Sequence, residues 1–181
     1  VKKDYFKQFD FDLIVKLQDK FKTQLNPIFS FTSTLASFEI TVGFLVVLTL
    51  LLLLKRRWGA IIILPLLALS HIVEIYGKTL IDHLGPPMHF VKEFDTVLFP
   101  VWYAHPESSY PSGHAMRAVY VAVIVIGIVL ASKMRKSFKV SYFIFHISFC
   151  LVVLLSRIVL GTHWPTDVVG GALLGITFSL F

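Results

Sequence analysis

Residues 35–54 read LASFEITVGFLVVLTLLLLL, and Lys55-Arg56-Arg57 follow at once. A helix crossing a hydrocarbon core needs about 20 mostly apolar residues, and this stretch holds a single charged group, Glu39, near its start. A surface helix of a soluble domain of that length would show a polar face. This one has none, so it is read as a membrane span, with the basic triplet marking its arrival in water.

The same reading extends along the chain. Trp58–Tyr76 is a second apolar run, carrying Pro65, which is expected to kink it. Ala115–Ser132 and Val140–Arg157 are a third and a fourth, and Pro165–Phe181 a fifth. At about 1.5 Å per residue the fifth reaches about 25 Å, short of a full crossing, and it is read as truncated. The chain opens on Val1 and is likewise read as cut from something longer. Hydrophobic residues make up 56% of the 181 and charged residues 15%, with a mean hydropathy of +0.76. Soluble domains carry roughly 25% charged residues. The fold class is therefore all-α, a polytopic transmembrane helical bundle with five spans visible. Residues 1–34 form an N-terminal amphipathic or interfacial segment and residues 35–181 the membrane domain.

Charge sets the orientation. The net charge is +6, and the bases gather in two loops: Lys55, Arg56 and Arg57, then Lys133, Arg135, Lys136 and Lys139. Both loops belong on one face, which the positive-inside rule makes cytoplasmic. The basic excess is thus a topology signal and not a nucleic-acid surface. The polar stretch Gly77–Pro111 and the link Gly161–Trp164 must lie opposite. Cys150, the single cysteine, excludes a disulfide framework within one chain; it sits in an apolar run and is read as a small core or lipid-facing residue. The first thirty residues are too charged for a signal peptide. There Phe6, Phe9, Leu13, Leu17 and Phe21 recur at helical steps, as on a helix lying on the membrane or packed on the domain.

The unusual polar residues fall on the face opposite the basic loops. The third span opens with Pro111-Ser112-Gly113-His114, the fourth closes with Ser156-Arg157, and His163 and Asp167 follow. Lys78 stands at the exit of the second. Ser112 is a good N-cap, Gly113 admits close approach of a ligand, and the helix start is an anion site. A histidine at that start can pass a proton to a bound group. Pro165 suits the first position of a helix, so Asp167 can reach back to orient the His163 imidazole. Arg157 can snorkel or fork onto phosphate oxygens.

The pair Pro111-Ser112-Gly113-His114 and Ser156-Arg157-x5-His163-x3-Asp167 resembles the signature of the type 2 phosphatidic acid phosphatase family, in its membrane branch. The family's third motif is Lys, six residues, then Arg-Pro; Lys78 and Gly85-Pro86 fall at that spacing, with Gly85 in place of the Arg. His83, His89 and Lys92 are the residues at hand to compensate. The resemblance implies six spans in the full chain and a metal-independent hydrolase without a cofactor. In it His163 is the nucleophile that becomes a phosphohistidine, Asp167 orients it, and His114 protonates the leaving oxygen. Lys78, Ser112, Gly113 and Arg157 hold the phosphoryl oxygens. The implied substrate is a lipid phosphate or isoprenyl diphosphate, met at the non-cytoplasmic face of the cell (inner) membrane.

Two alternatives stand beside this reading: a lipid phosphotransferase, and a lapsed, phospholipid-binding membrane protein, which Gly85 favours. His71, Glu74 and Lys78 share one helix face, where Glu74 is read as pairing with Lys78. Arg117 either serves the site or snorkels, and His146 is read as a hydrogen-bonded core histidine. Trp58, Trp102 and Trp164 suit interfacial belts, and Gly170, Gly171 and Gly175 suit close helix packing. Oligomeric state is not legible.

Overall fold

A computed structural model of the chain describes residues 5–92 and 108–181; Trp102 and most of the second half of the Gly77–Pro111 stretch lie outside them. The described residues form helices α1 (Tyr5–Lys20), α2 (Asn26–Leu35), α3 (Phe38–Leu54), α4 (Ile63–Leu80), α5 (Gly113–Leu130), α6 (Lys136–Val159) and α7 (Pro165–Ser179). Among them there is no strand, only an isolated bridge between Leu84 and Ser108. Three stretches are long and apolar enough to cross a membrane: Trp58–Leu80, Gly113–Leu130 and Lys136–Val159. Thr23–Leu35 and Phe38–Leu54 pass the same test only together, bent by 48°, as a broken span or a re-entrant loop.

Two expectations shift. The first span does not run unbroken from Leu35, because the chain breaks at Ala36-Ser37 and Ser37 starts α3 as its N-cap, accepting from the Ile40 N–H at 3.5 Å. A side-chain acceptor there satisfies a first-turn donor and lets the helix restart at a new angle. Pro65 does not kink the second span at its middle. Residues Trp58–Ile62 form a 3-10 turn and α4 begins at Ile63, so Pro65 falls in a first turn, where its missing N–H costs little.

The bundle is centred on α5, which packs chiefly on α7 and α6. Its inner positions Ala115, Met116, Ala118, Val119, Tyr120 and Ala122 are buried. The approach of α7 is close enough that a Cβ on Gly171 would fall 2.2 Å from the Ser112 carbonyl oxygen, and one on Gly175 2.4 Å from that of Met116. Tyr120 donates its hydroxyl to the Ile63 carbonyl at 2.6 Å, tying α5 to the start of α4. Helices α4 to α7 alternate in direction, so the end of α4, the start of α5, the end of α6 and the start of α7 meet at one end of the bundle. The basic loops lie at the other, where Lys139 caps the Leu130 carbonyl at 2.6 Å.

The N-terminal helix has its own surprise. Asp10 and Ile14 are buried and Gln18 half-buried, while Phe6 and Phe9 of the expected apolar stripe point outward. The face that α1 turns to α6 and α7 is thus rotated by about one position from the one its phenylalanines mark.

Candidate active site

The last turns of α4 carry a buried charge cluster. Glu74, 2% exposed, meets Lys78 Nζ at 3.0 Å, His71 Nδ1 at 2.8 Å and, from α5, Arg117 Nη1 at 3.5 Å. Arg117 does not snorkel: it is buried and also donates through Nε to the Ala36 carbonyl at 3.1 Å. A Cβ on Gly113 would fall 2.1 Å from Glu74 Oε1. In this fold the group that approaches Gly113 closely is therefore the Glu74 carboxylate.

Next to it, Ser112 caps α5, its Oγ accepting from the Ala115 N–H at 3.5 Å. The first turn of a helix leaves amide donors without internal partners, so those of Gly113 and His114 remain at this end. The Ser112 N–H in turn donates to the Asp167 carbonyl at 3.0 Å, which joins the two downstream motifs directly. The charges of Arg157, Arg117, His163 and Lys78 all fall within electrostatic range of His114.

After α6 the chain turns sharply. The Arg157 carbonyl accepts from the Thr162 and His163 N–H groups, both at 3.2 Å, and from the Thr162 hydroxyl at 3.1 Å. Gly161 takes φ +73°, a left-handed conformation natural to glycine. The Arg157 side chain is buried and its Nη1 donates to Ser33 of α2, so this arginine too does not snorkel, and its charge reaches His114 and His163.

Asp167, fully buried, sits in the first turn of α7. Its Oδ2 accepts from the Trp164 N–H at 2.9 Å and lies 3.5 Å from His163 Nδ1. Its Oδ1 lies 3.3 Å from His83 Nε2. Burial pushes the His163 pKa below its ordinary 6.5, and the Arg157 charge adds to this while Asp167 opposes it. With Nδ1 toward a carboxylate, Nε2 is the atom left for chemistry.

Lys78, Ser112, Gly113, His114, Arg157, His163 and Asp167 thus converge at one end of the bundle. Of the residues at hand to replace the motif arginine, His83 reaches Asp167, whereas His89 is exposed and lies on the Phe90 ring at 4.4 Å. Lys92 is bonded through its backbone N–H to the Leu160 carbonyl at 2.8 Å. His146 lies outside the site, on the outer part of α6, with Nδ1 2.8 Å from the Tyr142 carbonyl of its own helix. Cys150 is buried in the core.

Two partners of the site were not read from the sequence, Asp10 and Glu74 as a hub of several cations, and His83 was read as a stand-in for the motif arginine, not as a neighbour of Asp167. Asp10 had a signal, since it stands on one helical face with Ile14 and Gln18. The pairing of His83 with Asp167 had none, because His83 lies in a stretch without periodicity.

Residues 66–181 match the family described as the PAP2 superfamily, a range that contains every expected site residue. No curated protein matches the chain in sequence. Among solved structures, the fold is similar to that of the first transmembrane PAP2 type phosphatidylglycerolphosphate phosphatase from Bacillus subtilis. The TM-score is 0.80 at 19% identity, over 99% of this chain and 85% of that one. It is also similar to LpxE of Aquifex aeolicus, with a TM-score of 0.65 at 23% identity, over 94% and 92% of the two chains.

Proposed function

The chain belongs to the PAP2 superfamily, and from that premise we propose that it hydrolyses a lipid phosphate or diphosphate ester through a phosphohistidine formed on His163. Its class is that of an integral membrane lipid phosphatase. The observation that carries the finer reading is the hydrogen bond from the Ser112 N–H to the Asp167 carbonyl. It fixes the anion-binding start of α5 against the helix that carries the carboxylate behind His163.

In the first step Nε2 of His163 attacks phosphorus, the bond from phosphorus to the leaving oxygen breaks, and His114 gives that oxygen a proton. Asp167 steadies the imidazolium charge that develops. In the second step water attacks phosphorus, His114 takes its proton, the P–N bond breaks and phosphate leaves. Lys78, Arg157 and the α5 amides bear the charge on the phosphoryl oxygens, the largest share of catalysis in such transfers. No metal is assigned a part. Exposed Leu80, Leu84 and Met88 beside the site suit a substrate whose tail stays in the bilayer. The basic loops at the far end support a site on the non-cytoplasmic face.

The test is phosphate release in detergent with EDTA, offering phosphatidate and an isoprenyl diphosphate, with His163→Ala alongside. Release that survives EDTA and is lost in the variant is expected; release by His163→Ala equal to wild type would sink the mechanism. Binding without turnover is the second reading, favoured by Gly85. It predicts no release by the native chain and release by Gly85→Arg, whose Cβ would be in ordinary contact with Ser109 at 3.5–4.0 Å among the described residues.

A further inference from the structure

The segment that follows α4 carries His83, which the reaction above does not use. His83 Nε2 and Asp167 Oδ1 are both buried, lie 3.3 Å apart, and have no hydrogen-bond partner elsewhere among the described residues. Leaving either atom alone costs its full desolvation, and at this distance each is the other's nearest partner of opposite hydrogen-bonding character among the described residues. The backbone around His83 is held in place for this. Its carbonyl accepts the Ser109 N–H at 2.9 Å and the Ser109 hydroxyl at 3.1 Å. The next residue's carbonyl, Leu84, accepts from Trp164 Nε1 at 2.9 Å. Tyr110 closes the other side, edge-on to the imidazole at 6.2 Å between ring centroids.

We propose that His83 is a positioning residue of the reaction, holding Oδ1 of Asp167 so that Oδ2 faces the nucleophilic His163. The proposal rests on the mechanism above. A carboxylate can rotate about its last bond, and the Trp164 N–H on Oδ2 alone leaves that rotation open. A donor on each oxygen closes it. His83 then does not replace the motif arginine as a phosphate ligand; it stabilises the nucleophile from behind. The neutral imidazole with its proton on Nε2 suffices, and no proton is transferred.

The experiment compares His83→Gln, whose amide can reach the place of Nε2 and donate, with His83→Met, of similar length and without a donor. Both are purified in detergent, checked for a single folded species, and assayed with the lipid that the wild type turns over best. Expected are a fall in kcat of about ten- to a hundredfold for His83→Met, KM within about twofold, and recovery of most of the loss in His83→Gln. Full activity in His83→Met, or a Gln variant as slow as the Met variant, overturns the proposal. Should His83→Met not fold, His83→Ala replaces it: free imidazole must then raise its kcat, and no rise overturns the proposal. His163→Ala separates the two claims, because its activity tests the phosphohistidine mechanism whatever happens at His83.

Discussion

The carboxylate of Asp10, in the first helix, accepts both the backbone N–H and the hydroxyl of Thr166, at 2.9 and 2.6 Å. Thr166 immediately precedes Asp167, so a residue near the start of the chain caps the helix that carries the carboxylate of the site. Gln18, two turns further along α1, donates to the carbonyls of Phe90 and Val159 at 2.8 and 2.9 Å. Helix α1 is thereby bolted across the end of the bundle.

Asp10→Ala removes this cap. Loss of a capping acceptor costs about 0.5–2 kcal/mol, and here it leaves two half-buried Thr166 donors without their acceptor. A lower melting temperature is expected, with phosphate release falling further than in Asp12→Ala, whose exposed carboxylate accepts from the Gln8 amide of its own helix. Equal melting curves for the two variants would show that the cap carries no weight.

Gly171→Ala sets a methyl group against the Ser112 carbonyl, where 2.2 Å is available. The obstacle is backbone, so α5 and α7 must part, at a cost of about 1–3 kcal/mol. The hydrogen bond between Ser112 and Asp167 spans the same gap, and turnover should drop with stability. Gly43→Ala, with nothing within 4 Å of the new methyl, serves as the neutral control in thermal melts and in the assay.

Glu74→Ala takes the shared carboxylate from Lys78, His71 and Arg117. Breaking a buried ion pair by removing one member costs about 3–5 kcal/mol, so a severe loss of stability in a denaturant or thermal titration is expected. Glu74→Gln keeps the shape and loses the charge, and should fall between. A wild-type melting curve for Glu74→Ala would contradict the cluster as drawn.

The lowered pKa of His163 makes a statement about pH. The folded protein resists protonating this imidazole, whereas the unfolded chain takes the proton up near the ordinary 6.5. Below that pH the unfolded state binds more protons, so stability contributed by His163 falls as the solution is acidified; above it there is no effect. The stability gap between wild type and His163→Gln should therefore shrink, or turn against the wild type, as pH drops from about 7.5 toward 5.5, by at most about 1.4 kcal/mol per pH unit. The limb of kcat/KM that reports the neutral nucleophile should lie below pH 6.5. A difference in melting temperature that is flat across this range would refute the burial argument.

The helical membrane architecture was legible at the level of composition and span. Runs such as 35–54 can satisfy their backbone only as helices in lipid, and that requirement is local, carried by each segment alone. The convergence of Lys78, His114, Arg157, His163 and Asp167 on one end followed as well, because alternating spans and basic loops leave few ways to arrange helix ends. Helix breaks were less legible: Ser37 restarts a helix because of a cap geometry that the apolar run conceals, and Pro65 is harmless only because α4 happens to begin beside it.

What tertiary structure alone decided are the partners that lie far apart in the chain. Asp10 meets Thr166, Glu74 gathers Arg117 and crowds Gly113, Arg157 turns to Ser33, and His83 stands behind Asp167. Each is a buried polar group whose desolvation must be met by some partner. A sequence states the need, in the residue type, but not which of many donors or acceptors will be near; only the packing of the helices selects it.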